Sequence, residues 1–483
     1  MIVQLPLLGQ ETTSLTTSSP LGDETNLNQY TANNNTQTLN FESGINDFST
    51  SDPINPIKPQ PDLTATETDL LTGNENGNLL VSNDPILEGT ARSAASFIDS
   101  IATSSVNKKY DWNAARSIAD DIGIKHFRNL TKDRNGPGTG VDRLIGNNYT
   151  FTVSVGVNIQ KLDPSPQAIT QLLADIKNKH FDYRSRISAL EGPNEYDYVD
   201  PNLDSNWSET LRAFVKEFYQ QMRADPWFDG IPYVGPSFAR DYSMQELGDI
   251  SAYIDAGNLH LYTNPPTQSD RFNIKYSGYV SGNLPLYTTE MGNNTKTVTE
   301  EIEQARLYPR MYLVNFDRGV IRSHAHVLID SDSNSSNGQK RYGIVRSDFT
   351  YKPAAVAIKN TIALLRDDRN QNNLTDFRFL NFSIDTQATD LENTLIYHAG
   401  KDKYYLALWR GIFNDTAIDA DPFPVTIDFA KNLANVTAYK PNDGNFSTIV
   451  PIDRNRVTVN INDEVTFLVY KKMRRQLRFL PLN

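Results

Sequence analysis

Two glutamates stand where predicted strands end, and they are the residue types that acid–base and nucleophilic chemistry requires. Glu195 lies in the segment 190–197 (LEGPNEYD), directly after the predicted strand 187–190. Glu290 ends the predicted strand 284–289, in the sequence TTEMG. Cleavage of a glycosidic bond needs one carboxylic acid to protonate the leaving oxygen and one carboxylate to attack the anomeric carbon or to activate a water. The pair predicts this reaction if the fold brings both groups together; the alternative is two ordinary surface carboxylates.

Eight strand-like segments between about residues 94 and 366 predict the fold that holds these glutamates. They alternate with amphipathic helical patterns such as 166–176 and 298–316. The strand-like segments are 96–101, 124–128, 149–155, 187–190, 232–236, 258–262, 285–290 and 319–329. This alternation indicates an α/β fold with a parallel sheet, the (β/α)₈ TIM barrel; a doubly wound open sheet is the alternative, but no glycine-rich phosphate turn follows any strand. Because the carboxyl ends of barrel strands meet at one face, we expect both glutamates to lie there.

The residues outside this span differ in composition and predict separate regions. Residues 1–85 are rich in Thr, Ser, Asn, Asp and Pro, so we predict a polar leader or linker that is partly disordered. The catalytic barrel is predicted over residues 86–366. Alternating apolar and polar residues between Asn, Asp, Gly and Pro turns then predict an all-β sandwich over residues 367–475. The last residues, 476–483, follow a basic run and are expected to form a solvated tail.

Several sequence motifs together resemble clan A of the glycoside hydrolases, in particular a group of bacterial, mostly secreted members. An Asn-Glu pair follows the fourth predicted strand and a Glu ends the seventh, which is similar to the signature of the clan. The motifs are LEGPNEYD (190–197), GNLHLY (257–262), TTEMG (288–292) and YGIVRSD (342–348) followed by KPA (352–354). The resemblance covers about residues 94–366 and the predicted sandwich, which several clan families carry. It implies a retaining glycoside hydrolase that uses no metal or other cofactor.

The resemblance implies a role for each residue that matches the pattern of the clan. Glu195 would act as the general acid and base, and Glu290 as the nucleophile that forms a glycosyl-enzyme intermediate. Asn194 would hydrogen-bond the sugar 2-hydroxyl in the transition state. Tyr262, at the end of the sixth strand, would orient the nucleophile. Arg128, at the end of the second strand, would keep the nucleophile ionised through a charge-assisted hydrogen bond.

Other residues near these positions are candidates because of their side-chain type. His260 lies two residues before Tyr262, on the same side of the strand, and is expected either to line the site or to be a core histidine. Tyr196 and Trp207 follow the acid/base residue and are expected either to stack on sugar rings or to pack in the core. Glu191 either faces the site or is a structural carboxylate paired inside the barrel.

The end of the eighth predicted strand departs from the pattern of the clan. Many members place a tryptophan there as a platform for the sugar, whereas His326 and the residues after it include none. We therefore expect other aromatic residues to line the cleft. His324 and His326 alternate as a metal pair would, but no third ligand matches them, so no metal site is predicted. The loop 330–341 begins like a calcium loop, yet Ser335 and Arg341 stand where Gly and Glu are needed, which favours a polar loop beside the cleft.

Composition limits the partners and the chemistry. The chain has 483 residues, no cysteine and a net charge of −12, which excludes disulfides and thiolate chemistry and argues against a nucleic-acid partner. No stretch approaches the ~20 apolar residues that span a bilayer, so no membrane insertion is expected. The first residues lack the features of a signal peptide. An extracellular or surface-associated location is expected from the resemblance and the polar leader, and a cytoplasmic one stays open.

The sequence thus predicts a retaining β-glycoside hydrolase that acts on a polysaccharide or oligosaccharide by double displacement. Two alternatives stay open. A non-catalytic carbohydrate-binding or extracellular matrix protein on a barrel scaffold would bind glycans without cleaving them, although it would not need to keep both glutamates, Asn194 and Tyr262. A transglycosylase would use the same residues and transfer the intermediate to a sugar instead of water.

Overall fold

The computed structural model describes residues 89–104, 112–130, 149–156, 161–262, 277–366, 378–411, 421–430 and 433–472. The predicted leader 1–85 and tail 476–483 lie outside these residues. The described chain forms a parallel barrel and a domain of largely antiparallel sheets. No helix in this part of the chain is long and apolar enough to cross a membrane.

The barrel is an eight-stranded parallel sheet, which confirms the predicted fold class. Strand β1 (Gly89–Ser93) precedes it and belongs to the second domain. The barrel strands are β2 (Ile101–Ser104), β3 (His126–Leu130), β4 (Thr150–Ser154), β5 (Ile187–Glu191), β6 (Tyr233–Val234), β7 (Gly257–Tyr262), β8 (Leu286–Gly292) and β9 (Val320–Ala325). They pair in the order β6-β5-β4-β3-β2-β9-β8-β7. The two edges meet where Val234 pairs with Ala256, which brings the barrel close to closure.

Amphipathic helices cover the outside of the barrel. The helices are α1 (Ala94–Ser100), α2 (Trp112–Ile122), α3 (Pro166–His180), α4 (Trp207–Ala224), α5 (Asp241–Leu247), α6 (Val298–Asp317) and α7 (Pro353–Leu365). In α4 the buried residues recur every three or four positions, so one stripe of the helix faces the strands; they are Leu211, Phe214, Val215, Phe218 and Met222. Helix α6 begins with a capping box, in which the side chains of Thr297 and Glu300 each accept from the other's backbone amide.

The first barrel unit differs from its prediction. The segment 96–101, predicted as a strand, is mostly helix α1, and strand β2 starts only at Ile101. Ser93 caps this helix by accepting a hydrogen bond from the Ser96 amide at 3.4 Å, and Phe97 is buried on its inner face. A helix of two turns and a short buried strand are hard to distinguish by periodicity alone, which is why the sequence pattern misled here.

The second domain consists of two sheets with a shared core, as predicted for a β-sandwich. The remaining strands are β10 (Arg378–Leu380), β11 (Phe382–Asp385), β12 (Leu391–His398), β13 (Lys403–Arg410), β14 (Phe423–Phe429), β15 (Leu433–Lys440), β16 (Asn445–Ile449), β17 (Arg456–Ile461) and β18 (Thr466–Lys472). One sheet has the order β10-β1-β12-β13-β18-β15-β16 and the other β11-β14-β17. Residues 89–93, which the sequence analysis assigned to the barrel, therefore belong to the sandwich, because β1 pairs with β10 and β12.

The larger sheet packs against the barrel as well as against the smaller sheet. In β13, Tyr404, Leu406 and Leu408 belong to the core between the two sheets. The alternate residues Tyr405, Ala407 and Trp409 belong to the core of the barrel. Since successive side chains of a strand point to opposite faces, β13 is apolar on both and links the two cores.

A buried ion pair holds the segment that follows β9. Nζ of Lys352 lies 2.9 Å from Oδ1 of Asp330, and both side chains are fully buried. Asp330 also accepts hydrogen bonds from the Gly343 amide at 2.7 Å and the Ser333 hydroxyl at 2.8 Å. The calcium-like start of this loop thus has its negative charge balanced by a lysine, in agreement with the predicted polar loop.

We expect Lys352→Met to lower the free energy of unfolding by about 3–5 kcal/mol, because it leaves Asp330 buried without its cation. The double variant Lys352→Met/Asp330→Asn should lose less than the single variant, since no buried charge remains. Chemical denaturation of the three proteins measures both values. A double variant less stable than Lys352→Met would contradict this account of the pair.

Candidate active site

Arg128 lies at the carboxyl-end face of the barrel and connects three side chains of the candidate site. Its Nε and Nη2 atoms donate to the carboxylate of Glu191 at 2.7 and 2.8 Å, and further hydrogen bonds reach Glu290 and Oδ1 of Asn194. Burial by itself lowers the pKa of Arg128, but the charges of Glu191 and Glu290 outweigh it and raise the pKa, so the guanidinium stays charged. Glu191 is fully buried and bidentate to Arg128, which favours its interpretation as a structural carboxylate.

A β-bulge in β8 turns two consecutive side chains into the site. The pairings of β8 with both neighbouring strands shift register around Thr289. In a regular strand Thr289 and Glu290 would point to opposite faces, and a bulge removes this constraint. Here the Thr289 hydroxyl lies 3.1 Å from Nε2 of His260, while Glu290 accepts hydrogen bonds from Arg128 and Tyr262. The bulge therefore brings Glu290 and the hydroxyl of its neighbour to the same cluster.

Glu290 is buried among groups that favour its ionised form. Besides Arg128 and the Tyr262 hydroxyl, Nδ1 of His326 lies 3.4 Å from Oε2 of Glu290 and Nδ1 of His260 lies at 3.8 Å. Burial raises the pKa of Glu290. The two histidines, which are protonated in the acid range where Glu290 titrates, and Arg128, with the Tyr262 hydrogen bond, outweigh burial and hold the pKa below the ordinary 4.5. Arg128 is the permanent charge among them. Glu290 thus has the charge state that a nucleophile needs.

Glu195 is held in a backbone conformation that few residues adopt. Its φ and ψ angles are 47° and 44°, in the left-handed region, and its amide donates to the Ser237 carbonyl at 3.1 Å. Just before it, the loop packs so closely on Pro236 that a Cβ on Gly192 would lie 2.7 Å from the backbone nitrogen of Pro236. Left-handed non-glycine residues are often found at functional sites. This loop places the Glu195 side chain, which is one quarter exposed, in the cleft.

The carboxylates of Glu195 and Glu290 face each other across the cleft. One oxygen of each, together with one ring nitrogen of His260, lie within 4.8 Å of one another. Carboxyl groups about 5–5.5 Å apart suit double displacement, whereas single displacement needs about 6.5–9.5 Å to admit a water. The same three ligand atoms also have a spacing that a metal ion would accept. In this structure, however, they already have partners within the protein: Arg128 balances the charge of Glu290, and Nδ1 of His260 lies 2.7 Å from Oε1 of Glu195.

His260 is oriented by a chain of hydrogen bonds that begins at Glu191. The Asn258 amide nitrogen lies 3.2 Å from Oε1 of Glu191, and Oδ1 of Asn258 accepts from the Thr289 hydroxyl at 2.9 Å. The Thr289 oxygen is then left to accept a hydrogen bond from Nε2 of His260, so Nδ1 faces Glu195. Burial lowers the pKa of His260, but Glu290 and the Glu195 hydrogen bond outweigh it and raise the pKa. The raised pKa allows His260 to hold a proton while its Nδ1 lies 2.7 Å from Oε1 of Glu195.

We expect Thr289→Val to lower kcat/KM on a hydrolysed glycoside by about tenfold and to shift the basic limb of its pH profile, because the orientation of His260 is lost. Thr289→Ser keeps the hydroxyl and should restore the pH profile. The pH dependence of kcat/KM for the three proteins measures the effect, with thermal unfolding as the control for folding. A profile that is unchanged in Thr289→Val would remove Thr289 from this role.

Two residues that the sequence left open between sugar stacking and core packing make packing contacts. Tyr196 is fully buried; its hydroxyl donates to Asp204 at 2.8 Å and accepts from the Leu162 amide at 2.9 Å. Trp207 begins helix α4 and packs against the barrel core. Of the two interpretations left open by the sequence, the structure favours packing for both residues.

A cavity of about 210 Å³ opens beside Glu195, and its lining includes residues that sequence reasoning missed. The lining residues are Glu195, Phe238, Ala239, Asp241, His260 and Tyr262. The sequence could have identified Asn258 as a site residue, since it lies two residues before His260 on the same face of β7. It could not have identified Thr289, because only the bulge turns this side chain toward the site. Asp241, at the start of α5, and Tyr342, in the segment after β9, are distant in sequence from Glu195 and Glu290, so no local spacing predicts their place near the site.

Known proteins share the fold of this chain. No model of a protein family matches the sequence, and no curated protein sequence does. Solved structures do match in fold. A family 39 glycoside hydrolase from the gut symbiont Bacteroides cellulosilyticus has a TM-score of 0.56 and 14% identity over 79% of this chain and 82% of that chain.

Two further solved structures are similar in fold. A glucosidase from Croceicoccus marinus gives a TM-score of 0.51 and 11% identity over 81% of this chain and 97% of its own. A β-xylosidase of family 39 from Caulobacter crescentus gives a TM-score of 0.50 and 12% identity over 79% of this chain and 98% of its own. At these identities the similarity concerns the fold, a barrel with additional sheets.

Proposed function

We propose that this protein is a retaining β-glycoside hydrolase that acts on a polysaccharide or oligosaccharide. The observation that carries the proposal is the placement of Glu195 and Glu290, whose nearest carboxylate oxygens are within 4.8 Å. Glu290 is held ionised by Arg128, and Oε1 of Glu195 lies 2.7 Å from Nδ1 of His260. One ionised and one protonated group at this distance are what double displacement requires. The solved structures that share the fold are glycoside hydrolases, which supports the same class.

In the first step Glu290 attacks the anomeric carbon while Glu195 gives its proton to the leaving oxygen, so the glycosidic bond breaks and a glycosyl-enzyme ester forms. Arg128 and Tyr262 hold the attacking carboxylate in position. In the second step Glu195 takes a proton from water, which attacks the anomeric carbon and releases Glu290. Two inversions give net retention.

Asn194 is placed to bind the sugar beside the nucleophile. Its Oδ1 accepts from Arg128, and because a guanidinium only donates, this contact fixes the orientation of the amide. The Nδ2 group has no partner among the described residues and is free to donate to a sugar hydroxyl. This supports the role that the resemblance implies for Asn194.

A panel of polysaccharides and para-nitrophenyl β-glycosides tests the proposal. We expect release of reducing ends or nitrophenol, and proton NMR of the first product should show the β anomer before mutarotation. The α anomer as first product would contradict double displacement. Glycan binding without release of reducing ends would favour the non-catalytic carbohydrate-binding protein, and elongated products would favour a transglycosylase.

We also propose an extracellular or surface-associated location, which rests on the polar composition of residues 1–85 and on the resemblance to secreted hydrolases. Fractionation of cells that express the chain, followed by immunodetection, tests it. Recovery in the cytoplasm alone would contradict it.

A further inference from the structure

Three aromatic rings form a wall beside the nucleophile. The wall consists of Tyr262, His326 and Tyr342. The ring centroids of Tyr262 and Tyr342 are 5.3 Å apart, those of His326 and Tyr342 are 5.5 Å apart, and those of Tyr262 and His326 are 5.8 Å apart. The rings meet edge to face at 70° to 81°, which is a favourable geometry for aromatic pairs.

The segment after β9 fixes this wall. Gly343, next to Tyr342, has its amide bound by Asp330, and a Cβ at this glycine would lie 2.1 Å from the Asp330 nitrogen. Asp330 is in turn paired with the buried Lys352. Tyr342 is itself buried and forms a hydrogen bond with the Asn294 side chain. The wall is therefore preorganised before any ligand binds.

His326 brings to this wall a polar atom without a partner. Its Nδ1 is buried and makes no hydrogen bond within the described residues, although Oε2 of Glu290 is 3.4 Å away. Burial lowers the pKa of His326, so the ring is neutral near pH 7. A neutral imidazole offers one donor and one acceptor nitrogen. A buried polar atom without a partner is costly, so a ligand hydroxyl that reaches it gains a strong preference over an analogue that lacks it.

The charges around the cavity select against anionic ligands. Glu195, Glu290 and Asp241 are carboxyl groups at the site, and Asp241 has no hydrogen bond or ion pair among the described residues. The guanidinium of Arg128 is already bound by Glu191 and Glu290. Among the residues that the structure describes, no free cation is therefore left beside Arg128 to receive a sugar carboxylate or sulfate.

We propose that the wall of Tyr262, His326 and Tyr342 binds a neutral, hydroxylated sugar, with His326 hydrogen-bonding one of its hydroxyls. The reacting carbon must approach Glu290 to about 3–3.5 Å, which brings the substituents of the ring within reach of His326. The wall would thus recognise the sugar by a specific hydrogen bond as well as by apolar contact. This inference rests on the proposed function and names the class of sugar that the site takes.

Matched substrates and variants test the inference. The parent substrate is the fastest of the para-nitrophenyl β-glucoside, xyloside, galactoside, mannoside and glucuronide, and its monodeoxy analogues are compared with it. We expect His326→Phe, which keeps a ring, to lower kcat/KM on the parent by roughly 10–100-fold. On the analogue that lacks the contacted hydroxyl, the kcat/KM values of the wild type and of His326→Phe should differ by less than about threefold. His326→Gln, which keeps a polar nitrogen, should recover part of the loss, and Tyr351→Phe, in the same segment, is the control for folding.

The outcomes separate this inference from the proposed function. If no glycoside or polysaccharide is cleaved, the proposed function fails. If glycosides are cleaved but His326→Phe loses the same factor on the parent and on every monodeoxy analogue, no hydroxyl is coupled to His326 and the inference is overturned. A glucuronide as the best substrate would overturn it as well, because it would place a carboxylate where the described part of the chain offers no free cation.

Discussion

Replacing Glu290 by Gln is expected to lower kcat by roughly 10⁴-fold or more, equivalent to about 5 kcal/mol of transition-state stabilisation. The amide has nearly the shape of the carboxylate but cannot attack the anomeric carbon. The fold should persist, because the change removes one charge of a cluster that keeps Arg128 paired with Glu191. Single-turnover and steady-state rates on an activated aryl glycoside measure the loss. Glu209→Gln, at the exposed start of α4, is the control and should keep the wild-type rate.

A small external nucleophile distinguishes the roles of the two glutamates. In Glu290→Ala, azide can occupy the space of the missing carboxylate and attack directly, which gives the α-glycosyl azide by a single inversion. In Glu195→Ala, azide attacks the glycosyl-enzyme instead and gives the β product. Identification of the anomers by NMR decides the assignment. The opposite pattern would exchange the roles of the two residues, and near-wild-type turnover in Glu290→Ala would remove Glu290 from the mechanism.

Arg128→Met is expected to lower the free energy of unfolding by about 3–5 kcal/mol, because it leaves Glu191 and Glu290 buried without their cation. Adding Glu191→Gln removes one of the two uncompensated charges and should return part of the loss. Denaturant unfolding of the single and double variants measures both effects. A loss of less than about 1 kcal/mol in Arg128→Met would show that the two carboxylates do not depend on this cation.

Arg128→Met should also shift the pH dependence of kcat/KM and of stability to higher pH. The pKa of Glu290 in the folded protein lies below its ordinary 4.5, so its ionisation contributes stability that is complete above the unfolded pKa and is lost as the pH falls through the folded one. Without the charge of Arg128 the pKa of Glu290 should rise, because one of the causes that lower it is removed. The acidic limb of kcat/KM, which requires ionised Glu290, should then move to higher pH, as should the loss of stability in acid. A limb that stays in place would contradict the role of Arg128.

The sequence predicted the features that depend on periodicity and on strand ends. Strands β5 and β8 were recognisable as short apolar runs, and barrel geometry then required Glu195 and Glu290 to share one face. The alternation of His260 and Tyr262 in β7 predicted that both side chains lie on one side. The network around Thr289 was beyond such reasoning, since a one-residue bulge reverses the face of a side chain and leaves no mark in composition.

Long-range packing explains the other differences. The sequence left Tyr196 open between sugar stacking and core packing, because the side that its ring faces depends on Asp204 and Leu162, which contact it only in the fold. Tyr342 could not be placed near Glu290 from the sequence, because its position depends on the buried pair of Asp330 and Lys352. Patterns within one element predict which face a residue takes, whereas contacts between elements decide what that face meets.

Strand β1 has a consequence for the order in which the protein can be built and for how it can be divided. Arg92 pairs with Ile396, so a chain that emerges from the ribosome cannot complete the larger sheet until the whole barrel has been synthesised. Because β1 lies between β10 and β12, a fragment that began after the barrel would expose two unpaired strand edges to self-association. The two domains are therefore joined at both ends of the barrel, and the sandwich is not a module that could be transplanted by cutting the chain once.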